Sequence, residues 1–508
     1  MTWGKLVALC GAILAATPAA AEWLEASSRH FVLYSNTSEK TLRRQSEALE
    51  RLDWGLRRFS QLGDEPEIAS RKVTVFLVDD SQVRSLCGCQ NVGGFYLSRV
   101  SGSIAFSGKA ASFGDNGIGQ LVLFHEYAHH FMLGSYDLAF PAWYSEGFAE
   151  FASTMRISDD SVQIGVPAQH RARGLFLGQR FRVSEMFDPT LRSRLGSAER
   201  YDAFYGRGWL LTHFLTFRPD RFRQFQGYLR TLNSGTPSVA AAEQAFGDLK
   251  AMSVEVDGYL AKARMPAMTM KYDDQALPTV NVRRLSPGEA ELIDLRMQSV
   301  RGVDEAKAAK VHAQAGPIAA RHGDNPIVQG WLAEMAFDTQ DYAGAIAAAD
   351  RAIARDPKSV QAHLYRGAAM LRQLRDARVR DPAQWTAARR SIITANRSDP
   401  DDAEPLWWFW LSFQMEGAKP TASAIKGLYR AQELARQDRS VRMAAALTRI
   451  GASEYAEAKR LLRPVAYDPH GAANNPALAM LTAMEAGDDV GAVLAAGEAT
   501  PGEPGAQP

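Results

Sequence analysis

His125-Glu126-Tyr127-Ala128-His129 is an H-E-x-x-H segment. On a helix, residues four apart lie on one face, about one turn from each other. Both imidazoles then reach one ion, with the Glu126 carboxylate beside them. Zn²⁺ suits such a pair, being borderline-soft, tetrahedral and without redox chemistry. A catalytic site also needs a third protein ligand and one position left for water. Glu146, in Trp143-Tyr144-Ser145-Glu146-Gly147-Phe148-Ala149-Glu150, is the candidate. Sixteen residues lie between His129 and Glu146, with Leu133-Gly134-Ser135-Tyr136-Asp137 and Phe140-Pro141 reading as a loop. The chain therefore has room to leave one helix, turn and begin a second. Glu150 falls one turn beyond Glu146 on the same face. It is placed to accept a hydrogen bond from the free N–H of a ligand histidine, which fixes that ring's tautomer.

H-E-x-x-H followed by W-x-x-E-G-x-A-E resembles the gluzincin (peptidase MA-like) zinc metallopeptidases. The resemblance implies His125, His129 and Glu146 as ligands of one Zn²⁺ per chain, and Glu126 as the general base for the attacking water. Tyr205-Gly206-Arg207-Gly208 resembles the Y-x-K-G segment of aminopeptidase-type gluzincins. That implies Tyr205 as the hydrogen-bond donor to the oxyanion, with Tyr201 as the fallback. One departure matters. Those aminopeptidases carry a G-x-M-E-N segment whose glutamate holds the substrate's free amine, and nothing between Phe95 and Gly117 matches it. The expectation is therefore an endopeptidase. His130 points away from His129 around the helix, and His213 sits in the apolar run Trp209 to Leu215, so both read as structural.

Bulk properties narrow the context. At 508 residues the chain is too long for one ordinary core. It is 46% hydrophobic and 23% charged, a globular balance, and its net charge of +1 argues against a nucleic-acid partner. Met1 to Ala21 has one lysine, an apolar run from Leu6 to Ala16 and Ala19-Ala20-Ala21, the pattern of a cleaved signal peptide. No later stretch is long and apolar enough to span a bilayer. The expected location is outside the cytoplasm, in the periplasm if the source is a two-membrane bacterium. Cys87 and Cys89 then remain, as a small disulfide, two free thiols or a minor metal site.

Elements must position these residues. His30 to Tyr34 and Val73 to Val78 read as strands, and Leu42, Leu49, Leu52, Leu56 and Phe59 as the apolar face of a helix opened by Asn36 and Glu39. Gly93 to Leu97 and Ser103 to Phe106 read as a hairpin just before the metal helix. By the resemblance, it is the edge that pairs with an extended substrate. Gly108 to Gly117 is expected to be a loop rimming the cleft. A third helix from Tyr201 to Phe217 carries Tyr205.

The second half is alanine-rich. Leu332, Ala333, Ala336, Ala345, Ala349, Ala352 and Pro357 stand at the consensus positions of a tetratricopeptide repeat, which this stretch resembles. Weaker repeats follow around Gly367 to Pro400, Ala424 to Ala431 and Tyr455 to Pro469. Stacked repeats offer a concave surface for a protein partner or a substrate. Leu406-Trp407-Trp408-Phe409-Trp410 reads as core. The fold class expected is an α+β zincin-like catalytic domain followed by an all-α tetratricopeptide-like solenoid. The divisions are 1–21 signal peptide, 22–265 peptidase-like domain, 266–287 linker or accessory segment, 288–486 helical repeats and 487–508 flexible tail. The alternative function is an envelope repeat-protein scaffold with a structural or vestigial metal site.

Overall fold

The computed structural model describes residues 22–63, 71–89, 93–109, 118–262, 264–272, 277–468 and 475–498. The signal-like segment, residues 110–117 of the expected cleft loop and the last ten residues of the tail lie outside them. In chain order the first part contains β1 (Leu24–Ser27), β2 (Phe31–Ser35), α1 (Glu39–Phe59), β3 (Val73–Val78), α2 (Asp80–Cys87), β4 (Gly94–Leu97) and β5 (Ile104–Gly108). Next come α3 (Ile118–Ser135), α4 (Ala142–Ser153), β6 (Arg156–Ile157), β7 (Ser161–Ile164), α5 (Ala172–Phe176), α6 (Val183–Met186) and α7 (Ala198–Phe217). Then follow α8 (Pro219–Asn233), α9 (Ser238–Phe246), α10 (Leu249–Leu260), β8 (Met268–Lys271) and β9 (Asn281–Arg284).

Six strands form one mixed sheet in the order β4-β5-β3-β2-β1-β9. β2, β3 and β5 run parallel, with Phe31 opposite Val73 and Thr74 opposite Ile104. α1 makes the first crossover that parallel strands require. β3 reads Val-Thr-Val-Phe-Leu-Val, nearly continuous apolar sequence, because both faces of the sheet are covered. Val73, Val75 and Leu77 point into a core shared with α1, α3 and α4. Phe76 and Val78 point the other way, into a core shared with the helical repeats. The sheet is thus the middle layer between the site-bearing helices and the repeat stack.

The expected hairpin is present, with Gly94 opposite Ser107 and Leu97 opposite Ile104. Its second arm, β5, is an interior strand; the edge is its first arm, β4. Ser38 caps α1 by accepting from the Thr41 N–H at 3.2 Å, two residues after the start expected at Asn36. Cys87 and Cys89 are joined by a disulfide. Segment 266–287 adds one strand to this sheet and one to a second, three-stranded sheet ordered β6-β7-β8. β8 pairs with β7, and β9 returns to lie antiparallel against β1, with Leu24 opposite Arg284.

The remainder is helical: α11 (Pro287–Arg301), α12 (Glu305–Arg321), α13 (Pro326–Asp338), α14 (Tyr342–Arg355), α15 (Val360–Asp376) and α16 (Pro382–Ser398). It continues through α17 (Ala403–Glu416), α18 (Ala422–Leu434), α19 (Arg439–Gly451), α20 (Tyr455–Ala466), α21 (Pro476–Ala486) and α22 (Val490–Glu498). Consecutive helices pack on each other throughout. Small buried residues let them approach, as with Ala333, Ala336, Ala345, Ala349 and Ala352 between α13 and α14. Side-chain caps such as Asp304, Asp341, Ser359 and Asp438 start the helices. The repeats expected from named residues correspond to α13 through α20; α11, α12 and α21 also fall within the expected helical range 288–486, and α22 lies beyond it. α22 corrects the flexible tail expected from Gly487. Gly487 takes a left-handed cap, Asp489 accepts from the Ala492 N–H at 2.9 Å, and Val493 is buried against α21. Trp408 is core and Trp407 stacks on Trp410 at 5.2 Å, as the aromatic run suggested. No helix among the described residues is long and apolar enough to cross a membrane.

Candidate functional site

α3 is apolar almost all round, so its histidines are buried by their helix rather than displayed on a polar face. His125 Nε2 and His129 Nε2 stand 3.1 Å apart. Glu146 Oε2, on α4, lies 3.4 Å from the first and 3.3 Å from the second. His129 is 6% exposed and Glu146 0%. These three residues are the group of potential metal ligands found among the described residues. A tetrahedral cation with bonds of about 2.0–2.1 Å needs ligand atoms roughly 3.3–3.4 Å apart. The triangle therefore fits Zn²⁺ in donor type and in size. Electrostatics agree. Burial lowers the pKa of His125, but the Glu146 and Glu150 carboxylates overcome it and raise it to about 10. The point where the three side chains meet attracts positive charge.

Glycine brings the next helix close. A Cβ on Gly147 would sit 2.4 Å from the Gly208 carbonyl oxygen, and one on Gly208 would sit 2.8 Å from the Trp143 carbonyl oxygen. α4 and α7 touch backbone to backbone there, which carries Tyr205 to the site. The Tyr205 ring is 6.1 Å from that of His125 and nearly perpendicular to it, at 86°. Burial and the nearby Glu146 push the Tyr205 hydroxyl above its usual range, while Arg192, which hydrogen-bonds it, acts in the opposite sense. Tyr201 lies a turn earlier, its ring 6.3 Å from that of Tyr205.

Glu126 is half-buried beside the triangle but is not part of it. Burial raises its pKa, His125 and His129 pull it down, and Glu146 pushes it up; the net is a rise. Glu150 lies where its spacing placed it, with Oε1 3.1 Å from His125 Nδ1. His170 Nε2 meets its other oxygen at 2.8 Å, and Arg171 donates at 2.7 and 3.0 Å. Burial opposes ionisation, but these partners hold the Glu150 carboxyl well below its ordinary range. Ser145 Oγ is 3.4 Å from His129 Nδ1.

Several of these residues escaped sequence reasoning. Arg171 and His170 belong to a 3-10 turn, Gln169–Arg171, and Arg192 to another, Arg192–Arg194. Arg192 Nη2 comes within 3.5 Å of Glu146 Oε1, and Arg171 Nη1 also bonds Asp202 Oδ1 at 3.0 Å. Neither turn has a periodic signature, and both depend on distant packing. The only legible hint was the density of arginines from 171 to 194 beside a neutral chain.

His130 and His213 are structural. His130 Nδ1 bonds the Tyr96 hydroxyl at 2.7 Å, and burial pushes its pKa down to about 3. His213 donates from Nε2 to the Gly165 carbonyl at 3.1 Å and accepts the Tyr259 hydroxyl at Nδ1 at 2.9 Å. Burial lowers it to about 4. β4 runs beside α3, where a Cβ on Gly94 would meet Val122 Cγ1 at 3.1 Å.

No family model and no curated protein matches the chain. Solved structures that match include "MamA 41-end from Desulfovibrio magneticus RS-1", at 14% identity over 34% of this chain and 90% of that one, with a TM-score of 0.26. Another is "MamA RS-1 ArsTM double mutant", at 14% identity over 34% and 92%, with the same TM-score of 0.26. MamA is a tetratricopeptide-like repeat protein. Likeness at this level decides nothing about activity.

Proposed function

We propose that the chain is an exported zinc-dependent metallopeptidase of the gluzincin kind, an endopeptidase, carrying a tetratricopeptide-like stack. The observation that carries this reading is the triangle of His125, His129 and Glu146 atoms, 3.1 to 3.4 Å on a side, beside a carboxylate that is not one of its corners. His125, His129 and Glu146 would hold the cation, which when bound supplies Lewis acidity to water and to the scissile carbonyl. Glu126 takes a proton from the attacking water and hands it to the leaving amine. Tyr205, with Arg192 beside it, donates a hydrogen bond to the oxygen on which charge develops. Glu150 keeps the Nδ1–H of His125 bonded and so fixes its tautomer. β4, at the sheet edge beside α3, offers a backbone ladder to an extended peptide.

Wild type and Glu126→Gln should be compared on a denatured protein, with metal content measured in both. The variant is expected to keep its metal and to cleave at least about 100-fold more slowly. Equal cleavage by both contradicts the reading.

The second reading is a repeat scaffold whose metal site serves stability alone. The long helix stack, α11 to α22, favours it, since no step of hydrolysis needs so much surface. Under that reading wild type itself leaves the protein uncut.

A further inference from the structure

We propose that Asp137 is a positioning residue for the metal-ligand set, held from the repeat stack, so that the repeats are part of the site rather than an appendage. The inference rests on the metal-centre reading above.

His125 and His129 are fixed relative to each other by one turn of α3. Glu146 is not. Its place depends on how α4 is set against α3, through its packing on α3 and α7 and through residues 136–141, which join the two helices. Asp137 lies in this connection, and its two oxygens are held separately. Arg442 Nη1, from α19, bonds Oδ1 at 3.1 Å, and Arg460 Nη1, from α20, bonds Oδ2 at 2.5 Å. Arg442 is 2% exposed and is itself aimed, since its Nε and Nη2 donate to the Arg436 carbonyl at 3.0 and 2.7 Å. Two residues further on, Asn233 of α8 bonds the Ala139 backbone in both directions, at 2.8 and 3.0 Å. The connection is therefore clamped between its own domain and the repeats.

The same region of the stack grips the other wall of the site. Ser98, at the turn after β4, donates to the Gln437 carbonyl at 2.6 Å, and Gln437 Nε2 donates to the Arg99 carbonyl at 3.3 Å. Val100 packs against the apolar cluster of α17 to α22. Gln437 precedes Asp438, the cap of α19, so the start of α19 anchors the edge-strand hairpin while Arg442, on its first turns, anchors the ligand connection. Ligand sets tolerate displacements of only about 0.5 Å before affinity falls.

The test uses the full mature chain and Co²⁺, whose visible absorption reports ligand number and geometry. Asp137→Asn is expected to weaken Co²⁺ binding about tenfold or more, to alter the spectrum, and to lower kcat of any cleavage more than it raises KM. Arg460→Gln, which removes the half-exposed member of the clamp, is expected to weaken it a few-fold. Wild-type Co²⁺ affinity and spectrum in Asp137→Asn, with native near-UV circular dichroism, would overturn the inference. Should Asp137→Asn fail to fold, unchanged Co²⁺ affinity in Arg460→Gln overturns it. Failure of wild type to take up Co²⁺ is a separate outcome, which overturns the metal reading and this inference with it.

Discussion

Around α3 and α4 the buried polar groups answer one another. Glu150 is ringed by His125, His170 and Arg171, and Glu146 faces His125, His129 and Arg192. At Glu334, Asp338 and Glu404 of the repeat stack, carboxylates crowd together instead. Glu334 pairs with Arg296 and accepts from Gln361, but Asp338 and Glu404 lie in its field as well. Burial and Glu334 raise Asp338 to about 7; burial, Asp402 and Glu334 raise Glu404 to about 8. The first region gathers opposite charges onto a point where a cation fits. The second tolerates like charges because some of them stay protonated. Polar burial near the site pairs opposite charges, whereas around Glu334 three carboxylates share Arg296.

The comparison is broken most forcefully at the helix contacts. Gly147→Ala drives a methyl into the Gly208 carbonyl, so α4 must shift and Glu146 with it. We expect a loss of roughly 3 kcal/mol or more, together with weakened Zn²⁺ uptake, read by urea unfolding and metal titration.

The two regions should also answer pH with opposite sign. His213 has a folded pKa depressed to about 4 by burial, so its contribution is complete above its unfolded value near 6.5. That contribution is lost as pH falls toward 4, by roughly 3 kcal/mol at most. Urea midpoints at pH 7 and 4.5 should differ less in His213→Gln than in wild type. Asp338 and Glu404 have raised folded pKa values, so their contribution is complete below the unfolded carboxylate range and is lost as pH rises through 7 to 8. Glu404→Gln should flatten the stability loss between pH 6 and 9. A shared direction in both variants would erase the contrast.

Smaller effects sharpen it. Gly367→Ala meets Ile392 Cδ1 at 2.6 Å, the far end of an aliphatic chain in the stack. The expected cost is about 1–2 kcal/mol, with Zn²⁺ uptake unchanged. Asp304→Ala removes the cap that accepts the Lys307 N–H at 2.9 Å. Its expected cost is about 1 kcal/mol, by thermal unfolding, again with the site untouched.

What could be read from sequence follows from what is local. H-E-x-x-H and Glu146 with Glu150 are spaced by helical turns, so their directions are set before any tertiary contact forms. The apolar run of β3 and the alanine positions of α13 and α14 are legible for the same reason. Arg171, Arg192 and Asp137 are not, because irregular backbone and contacts distant in sequence decide their direction, more than 300 residues away in the case of Asp137. β9 was legible only as part of a linker or accessory β-segment, because Asn-Val-Arg-Arg is polar and becomes a strand by pairing with β1. α22 was obscured by the Gly-Asp-Asp that precedes it, which caps the helices rather than breaking them.

The most direct measurement is zinc stoichiometry on the purified chain by elemental analysis, with Glu146→Ala and Glu126→Gln alongside. The account predicts one Zn²⁺ per chain in wild type and in Glu126→Gln, and loss of the ion in Glu146→Ala. Equal zinc in wild type and Glu146→Ala, or none in wild type, would contradict it.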